Sequence, residues 1–227
     1  MDLEFSPLPR GDWVLVTGAM ANTLNKYQPV RLIGNPIILP KAGKPSRYQE
    51  ERHHNRVHNF AYKVFTIKKK RPELTTRIYS QISESVSFSV DHNTSTLTHS
   101  RIHKYLHADG KAPCVVFWNG NTDKVLLEKL GTKHVKKYLD ITTVHHPNNN
   151  NYDLVLQDMG RDKQVISKIP IGHYIKKNGG TLNLLECHTL ICGQIHEGVV
   201  DCHDPVTDVI LTKCIFNYIM KTVKPST

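Results

Sequence analysis

The chain of 227 residues lacks any apolar run of the roughly 20 residues that a membrane-spanning helix requires. It also lacks the basic start and apolar stretch of a secretory signal, because its first residues are acidic and contain proline. Cysteine is scarce and odd in number, with five residues, and a chain of this length does not need disulfides to fold. These absences predict a protein that does not insert into membranes and that works in a reducing compartment, cytoplasmic or nuclear.

Acidic residues are outnumbered, with 20 Asp and Glu against 30 Lys and Arg, so the formal net charge is +10. A balance this positive favours an anionic partner, and nucleic acid is the first candidate. The composition leaves one alternative open, namely a basic protein without such a partner.

Segments with strand patterns gather early in the chain, helix patterns alternate with them later, and no repeat is visible. This order predicts a single α/β domain over residues 1–227. Extended segments are predicted where apolar residues run together or alternate, at 13–21, 31–39, 114–118, 138–144 and 152–156. Helices are predicted at 121–130, 181–192 and 204–223. The last of these is opened by Asp204 and Pro205 in cap and first-turn positions, and the final third of the chain is expected to be helical.

Residues 41–71 differ from the rest of the chain in being rich in Arg, Lys, His and Asn. They predict a basic, irregular insertion in the domain, built around one short strand. The insertion ends in a run of four positive charges: Lys68, Lys69, Lys70 and Arg71. This run is predicted to contact the phosphate groups of a nucleic acid, and a nuclear-import signal or a solvated charge run are the alternatives.

Four acidic residues and one histidine stand out in this basic chain, although they are far apart in the sequence. Asp2 and Glu4 are two positions apart, so on a strand their carboxylates share one face. Asp123 follows an apolar run and lies at the start of a predicted helix, while His203 precedes the last predicted helix and Asp208 lies within it. Acids gathered by folding repel one another unless divalent cations neutralise them, and a histidine beside them can take a proton from water.

The order and setting of these motifs resemble the DEDDh family of 3′→5′ exonucleases, which includes polymerase proofreading subunits and oligoribonuclease. The first family motif, D-x-E-x-T-G, aligns with D-L-E-F-S-P at residues 2–7, where the two acids match and the small residues after them do not. The second motif, H-N-x-x-F-D, aligns with W-N-G-N-T-D at residues 118–123. The third motif, H-D-x-x-x-D, matches H-D-P-V-T-D at residues 203–208. The resemblance implies a ribonuclease-H-like fold, in which helices flank a central mixed sheet and the basic residues 41–71 are an addition.

The resemblance also implies a two-metal phosphodiesterase mechanism. Two Mg²⁺ or Mn²⁺ ions would be held by the four acids of the motifs: Asp2, Glu4, Asp123 and Asp208. His203 would act as general base toward the attacking water, and Asn119 would help to bind nucleic acid. The implied substrate is the 3′ end of single-stranded RNA or DNA, with RNA slightly favoured because the last helices look most like those of the RNA-trimming branch.

Two other functions stay open, because the chain departs from the family pattern in places. Trp118 stands where the family has a histidine, and Thr122 stands where it has an aromatic residue. An RNA-binding module with weak or absent turnover would have the same fold. An endonuclease would use the same metals on internal phosphodiesters.

Cysteine and histidine residues crowd together next to the third motif: Cys187, His188, Cys192, His196 and Cys202. Thiol and imidazole groups at short spacing form tetrahedral zinc sites, so Zn²⁺ is considered as an additional bound metal. The alternative is that the cysteines of the predicted helix are small residues of the apolar core.

Overall fold

The computed structural model describes residues 1–7, 13–22, 30–32, 37–39, 102, 106–107, 110–132, 134–160, 162–176, 179–193 and 205–223. The predicted basic insertion, with Lys68 to Arg71, lies outside the described residues, and so do His196, Cys202 and His203. No described helix is both long enough and apolar enough to span a membrane.

Five strands come first along the described chain, one helix and three more strands follow, and two helices end it. The strands are β1 (Asp2–Pro7), β2 (Trp13–Met20), β3 (Val30–Leu32), β4 (Ile37–Leu39), β5 (Cys114–Trp118), β6 (Lys137–His146), β7 (Asn151–Asp158) and β8 (Val165–His173). The helices are α1 (Asn121–Lys129), which follows β5, then α2 (Leu184–Cys192) and α3 (Pro205–Thr222), which follow β8. The prediction of an α/β fold is confirmed at this level.

The described strands pair as two four-stranded sheets, where the sequence predicts one central sheet. The first sheet is antiparallel, with the order β1-β2-β3 and with β4 paired to the other end of β2. The second sheet is mixed, with the order β5-β6-β7-β8, and its β5 and β6 are parallel. The two sheets meet where the Met1 nitrogen donates a hydrogen bond of 3.0 Å to the Val116 carbonyl of β5.

Two apolar clusters place the helices on opposite sides of the sheets. One cluster joins Leu126 and Leu127 of α1 to Val115 and Phe117 of β5 and to Leu3 of β1. The other cluster joins residues of α2 and α3 to the opposite face of the second sheet, and its buried members include Ile141, Leu154, Leu184, Leu211 and Ile215. The result is a three-layer arrangement in which helices cover both faces of the sheets.

Strand β8 contradicts the prediction that the final third of the chain is helical. Among its nine residues only Ile169 is buried, and Lys168 and Pro170 on either side of it are exposed. This strand pairs with β7 alone, at the end of the sheet order. An edge strand with one buried side chain carries little apolar alternation, so its pattern is too weak to reveal it.

Candidate metal centre

Three carboxylates from the two ends of the chain meet in the folded protein. One carboxylate oxygen each of Asp2, Glu4 and Asp208 lie within 4.8 Å of one another. All three side chains are half-buried, and the Oδ2 atom of Asp2 is shielded from solvent. The group is therefore a small anionic site at the junction of β1 and α3.

The alternation of β1 explains how two of the acids reach the same place. Leu3 points into the apolar cluster beneath α1 and is 3% exposed, so Asp2 and Glu4 point to the opposite side of the strand. Helix α3 contacts β1 and β2, and its first turn carries Asp208. A carboxylate in the first turn of a helix is favoured by the helix dipole, which helps to hold Asp208 there.

Three ionised carboxylates this close together repel one another. At about 4 Å, each like-charged pair costs about 1 kcal/mol in water and about 4 kcal/mol in the lower effective dielectric near a protein surface. A divalent cation removes this repulsion, and hard oxygen donors are the ligands that Mg²⁺ and Mn²⁺ prefer. The donor set of the site therefore fits the metals implied by the resemblance.

Asp123 approaches the same strand but does not join the three grouped acids. Its Oδ1 accepts a hydrogen bond of 2.9 Å from the backbone N–H of Leu3, the residue between Asp2 and Glu4. The Asp123 side chain lies in the first turn of α1 and is nearly buried. The structure thus brings three of the four predicted acids together and places the fourth against the backbone of the strand that carries two of them.

Burial raises the pKa of Asp123 to about 6. The hydrogen bond from Leu3 and the nearby Met1 ammonium both act in the opposite direction, and the neighbouring Asp140 adds to the increase. The carboxyl group therefore reaches its protonation midpoint at about pH 6, and a nearby cation would favour its ionised form.

Asp140 of β6 was missed by the sequence analysis, although it positions Asp123. It is 2% exposed, its Oδ1 accepts from the Gly120 N–H at 2.9 Å, and its Oδ2 accepts from Gln157 Nε2 at 3.0 Å. Burial raises the pKa of Asp140, while these two hydrogen bonds act to lower it. Because Gly120 directly precedes α1, Asp140 anchors the start of the helix that carries Asp123. One sequence signal could have revealed this residue: Asp140 is an acid within a predicted apolar strand, and a buried acid needs hydrogen-bond partners.

Asn119 and Gly120 form the tight connection between β5 and α1. Asn119 is exposed and has a φ of 49°, and its N–H donates to the Ile141 carbonyl at 3.1 Å. Left-handed backbone of this kind is tolerated by Asn better than by most residues. Asn119 thus stands at an accessible turn near Asp123, while its predicted contact with nucleic acid stays a prediction.

Replacing Gly120 by Ala is expected to destabilise the protein by about 1 to 3 kcal/mol, because overpacking a filled core displaces its neighbours. The added Cβ would overlap Cβ and Cγ of the buried Phe117. Urea denaturation followed by circular dichroism would measure the effect. Gly110→Ala is the matched control for a Cβ without nearby atoms, although its φ of 66° adds backbone strain. A Gly120→Ala variant as stable as wild type would contradict the described path of this turn.

A second group of metal-ligand side chains lies between α2 and α3. Ligand atoms of His188, Cys192 and Cys214 lie within 4.8 Å of one another, and the sulfurs of Cys192 and Cys214 are 3.4 Å apart. His188 and Cys192 are among the zinc ligands considered from the sequence, whereas Cys214, which lies further along the chain, is not. Burial raises the pKa of the Cys214 thiol to about 11, and its contact with Cys192 acts in the same direction.

Cys187 is a correction to the predicted zinc ligands. Its side chain is fully buried in the apolar cluster with Leu211 and Ile215, and it is not a member of the His188 group. Burial raises the pKa of its thiol to about 12, and the neighbouring Cys192 adds to the increase. The apolar-core alternative therefore describes this cysteine. His196 and Cys202, like the predicted general base His203, lie outside the described residues.

No protein-family model matches the chain, and no curated protein or solved structure is significantly similar to it.

Proposed function

We propose that the chain is a metal-dependent 3′→5′ exonuclease with a ribonuclease-H-like fold, acting on single-stranded nucleic acid. One observation carries the proposal: Asp2, Glu4 and Asp208, the acids of the first and third motifs, lie within 4.8 Å of one another. These residues come from opposite ends of the chain, so only folding brings them together. The parallel pair β5 and β6 and the helices on both faces of the sheets are compatible with the proposed fold.

Asp2, Glu4 and Asp208, with Asp123 beside them, would hold the two divalent cations, Mg²⁺ or Mn²⁺, that the resemblance implies. When bound, such a cation supplies charge stabilisation for a reacting phosphodiester and lowers the pKa of water. Asp123 would contribute a further negative charge from the neighbouring edge of β1, where the Leu3 N–H orients its carboxylate. Asp140 would act as a positioning residue, because it holds the Gly120 N–H at the start of α1.

His203 is proposed as the general base, on its place in the third motif two positions before α3. A histidine in this role takes the proton of the attacking water, and its ordinary pKa near 6.5 suits that task at neutral pH. We expect the reaction to leave a shortened strand and a nucleoside monophosphate. The water oxygen would bond to the terminal phosphorus as the P–O3′ bond breaks, and His203 would hold the proton taken from that water. The leaving 3′ oxygen would take a proton from solvent to become the new 3′ hydroxyl, and the imidazole would return its proton to solvent.

The substrate class follows from charge. A formal net charge of +10 attracts polyanions. Because three of the acids are gathered at the cation site, the rest of the protein carries an even larger excess of positive charge. The run Lys68 to Arg71 is proposed to contact phosphates of the bound strand. RNA is favoured slightly over DNA, on the resemblance of the last helices to the RNA-trimming branch.

The test uses linear single-stranded RNA and DNA of one sequence, each labelled at the 5′ end, and a circular single strand. The wild-type chain, Glu4→Gln and Glu128→Gln are incubated with Mg²⁺, Mn²⁺ or EDTA. Glu128 is the matched control because it is an exposed acid on α1, away from the grouped carboxylates. A metal-dependent ladder that shortens from the 3′ end is expected with wild type and Glu128→Gln, and not with Glu4→Gln.

Other outcomes identify the alternatives. Cleavage of the circular strand would assign an endonuclease that uses the same metals. Intact substrates together with a retarded RNA band on a native gel would assign a binding module. The second alternative has one observation in its favour, because Asp123 stands outside the group of three acids.

A further inference from the structure

We propose that the chain binds one Zn²⁺ between α2 and α3, with His188, Cys192 and Cys214 as ligands. This site is distinct from the carboxylate group and does not depend on the proposed nuclease activity. It differs from the zinc set considered from the sequence, because Cys214 of α3 enters and Cys187 leaves.

The geometry of α2 presents two of the ligands together. His188 and Cys192 are four positions apart on the helix, so their side chains lie on one face. The helix is well defined at both ends: Asn183 and Glu186 form a capping box at its start, and Gly193 ends it in the left-handed conformation. A rigid helix with ligands at this spacing offers a preformed half of a metal site.

The second helix supplies the third ligand at a distance that suits a metal. Zinc–sulfur bonds of about 2.3 Å in a tetrahedral site place two thiolates about 3.7 Å apart. The Cys192 and Cys214 sulfurs are 3.4 Å apart, which is nearer to this value than to the roughly 2.05 Å of a disulfide. His188 adds a buried imidazole, one nitrogen of which lies within 4.8 Å of both sulfurs. A third metal-binding side chain at this place is expected for a metal site and is not needed for a disulfide.

The donor chemistry selects the metal. Two thiolates and one imidazole are soft and borderline ligands, which favour Zn²⁺ over the Mg²⁺ or Mn²⁺ that carboxylates prefer. With three protein ligands, the fourth position of a tetrahedral zinc is taken by a water molecule. The His188 ring nitrogens are shielded from solvent, so this ligand lies within the packed contact between the two helices.

Zinc at this position would tie α2 to the helix that carries Asp208. From Asp208 to Cys214 along α3 the chain rises about 9 Å and turns to a face about 120° away. One side of α3 thus meets β1 and β2, and another meets α2. A metal joining Cys214 to α2 would fix the rotation of α3 about its axis, and so the direction in which Asp208 points.

The test measures metal directly in the full chain. Protein produced in zinc-supplemented cells is freed of loosely bound metal and analysed by atomic spectroscopy, and zinc-depleted protein is titrated with Co²⁺. We expect about one zinc per chain, and cobalt spectra with thiolate-to-cobalt charge-transfer bands and the visible bands of a tetrahedral site. Cys214→Ser and Cys192→Ser should lose the zinc and the charge-transfer bands.

Two controls separate this site from other sources of metal. Cys114→Ser removes an exposed cysteine of β5 and should keep the zinc. Asp208→Asn removes one of the grouped carboxylates and should also keep the zinc. The zinc measurement therefore does not depend on whether the protein is a nuclease. Wild-type protein that lacks zinc and develops no charge-transfer band overturns the proposal, whether or not the serine variants fold. A Cys192–Cys214 disulfide in unreduced wild type, detected by peptide mass, overturns it as well.

Discussion

Replacing Asp208 by Asn is expected to lower the metal-dependent nuclease rate by about three orders of magnitude or more. When several groups act as one catalytic unit, removing a single group abolishes most of the rate enhancement of the whole unit. The substitution keeps the size and hydrogen-bonding shape of the side chain and removes one of the three grouped negative charges. Rates are measured on 5′-labelled single strands with Mn²⁺ in excess. Asp162→Asn, which removes an exposed acid from the turn between β7 and β8, should keep the wild-type rate.

Thermal stability gives a readout of Asp208 that does not depend on activity. In wild type, Mn²⁺ should raise the melting temperature, because a ligand that binds only the folded state stabilises it by mass action. Asp208→Asn should show a smaller increase with Mn²⁺. In EDTA the same variant should melt no lower than wild type, because it relieves like-charge repulsion at the site. A full Mn²⁺ response in Asp208→Asn would remove this residue from the metal centre.

The free energy of unfolding of Asp123→Asn, minus that of wild type, is expected to be about 3 kcal/mol larger at pH 8 than at pH 4. The folded-state pKa of Asp123 is raised from 3.8 to about 6 by burial. Between these values the folded state holds a proton that the unfolded state has lost. The stability from this group is therefore fully present below about pH 4, declines as the pH rises, and is lost above about pH 6.

Urea denaturation in EDTA, at pH values from 4 to 8, measures this linkage without metal. The difference between Asp123→Asn and wild type isolates the group, because other titrating residues contribute to both proteins. The Oδ1 atom of Asn can still accept from the Leu3 N–H, so the fold of β1 is kept. Asp162→Asn serves as the exposed control and should show no such trend. A difference that stays constant from pH 4 to pH 8 would mean that Asp123 is solvated in the folded protein.

Several elements were predictable because their signals are local. The start of α3 at Pro205 follows from a proline in the first turn, and the helical end of the chain was predicted within one residue of Thr222. Strand β5 follows from a compact apolar run. The shared direction of Asp2 and Glu4 follows from the period of a strand, which holds whatever the strand packs against.

Other features depend on contacts between distant elements. The contact between Cys214 and Cys192 joins two helices, and the residue pattern of one helix does not indicate which helix packs against it. The anchoring of Gly120 by Asp140 joins the end of one strand to the middle of the next. The place of Asp123 outside the grouped acids depends on how α1 packs against β1, where its carboxylate accepts from the Leu3 N–H.

The charge of the protein, the side chains available for chemistry and the period of each main element can be read from the chain, because they belong to single residues or to near neighbours. Which ligands meet depends on how distant elements pack. Leu3 packs under α1, and this packing turns Asp2 and Glu4 toward Asp208 of α3. The packing of α2 against α3 brings Cys214 to His188 and Cys192. Such distances follow from how layers bury their apolar faces against one another, and that burial is a property of the whole chain.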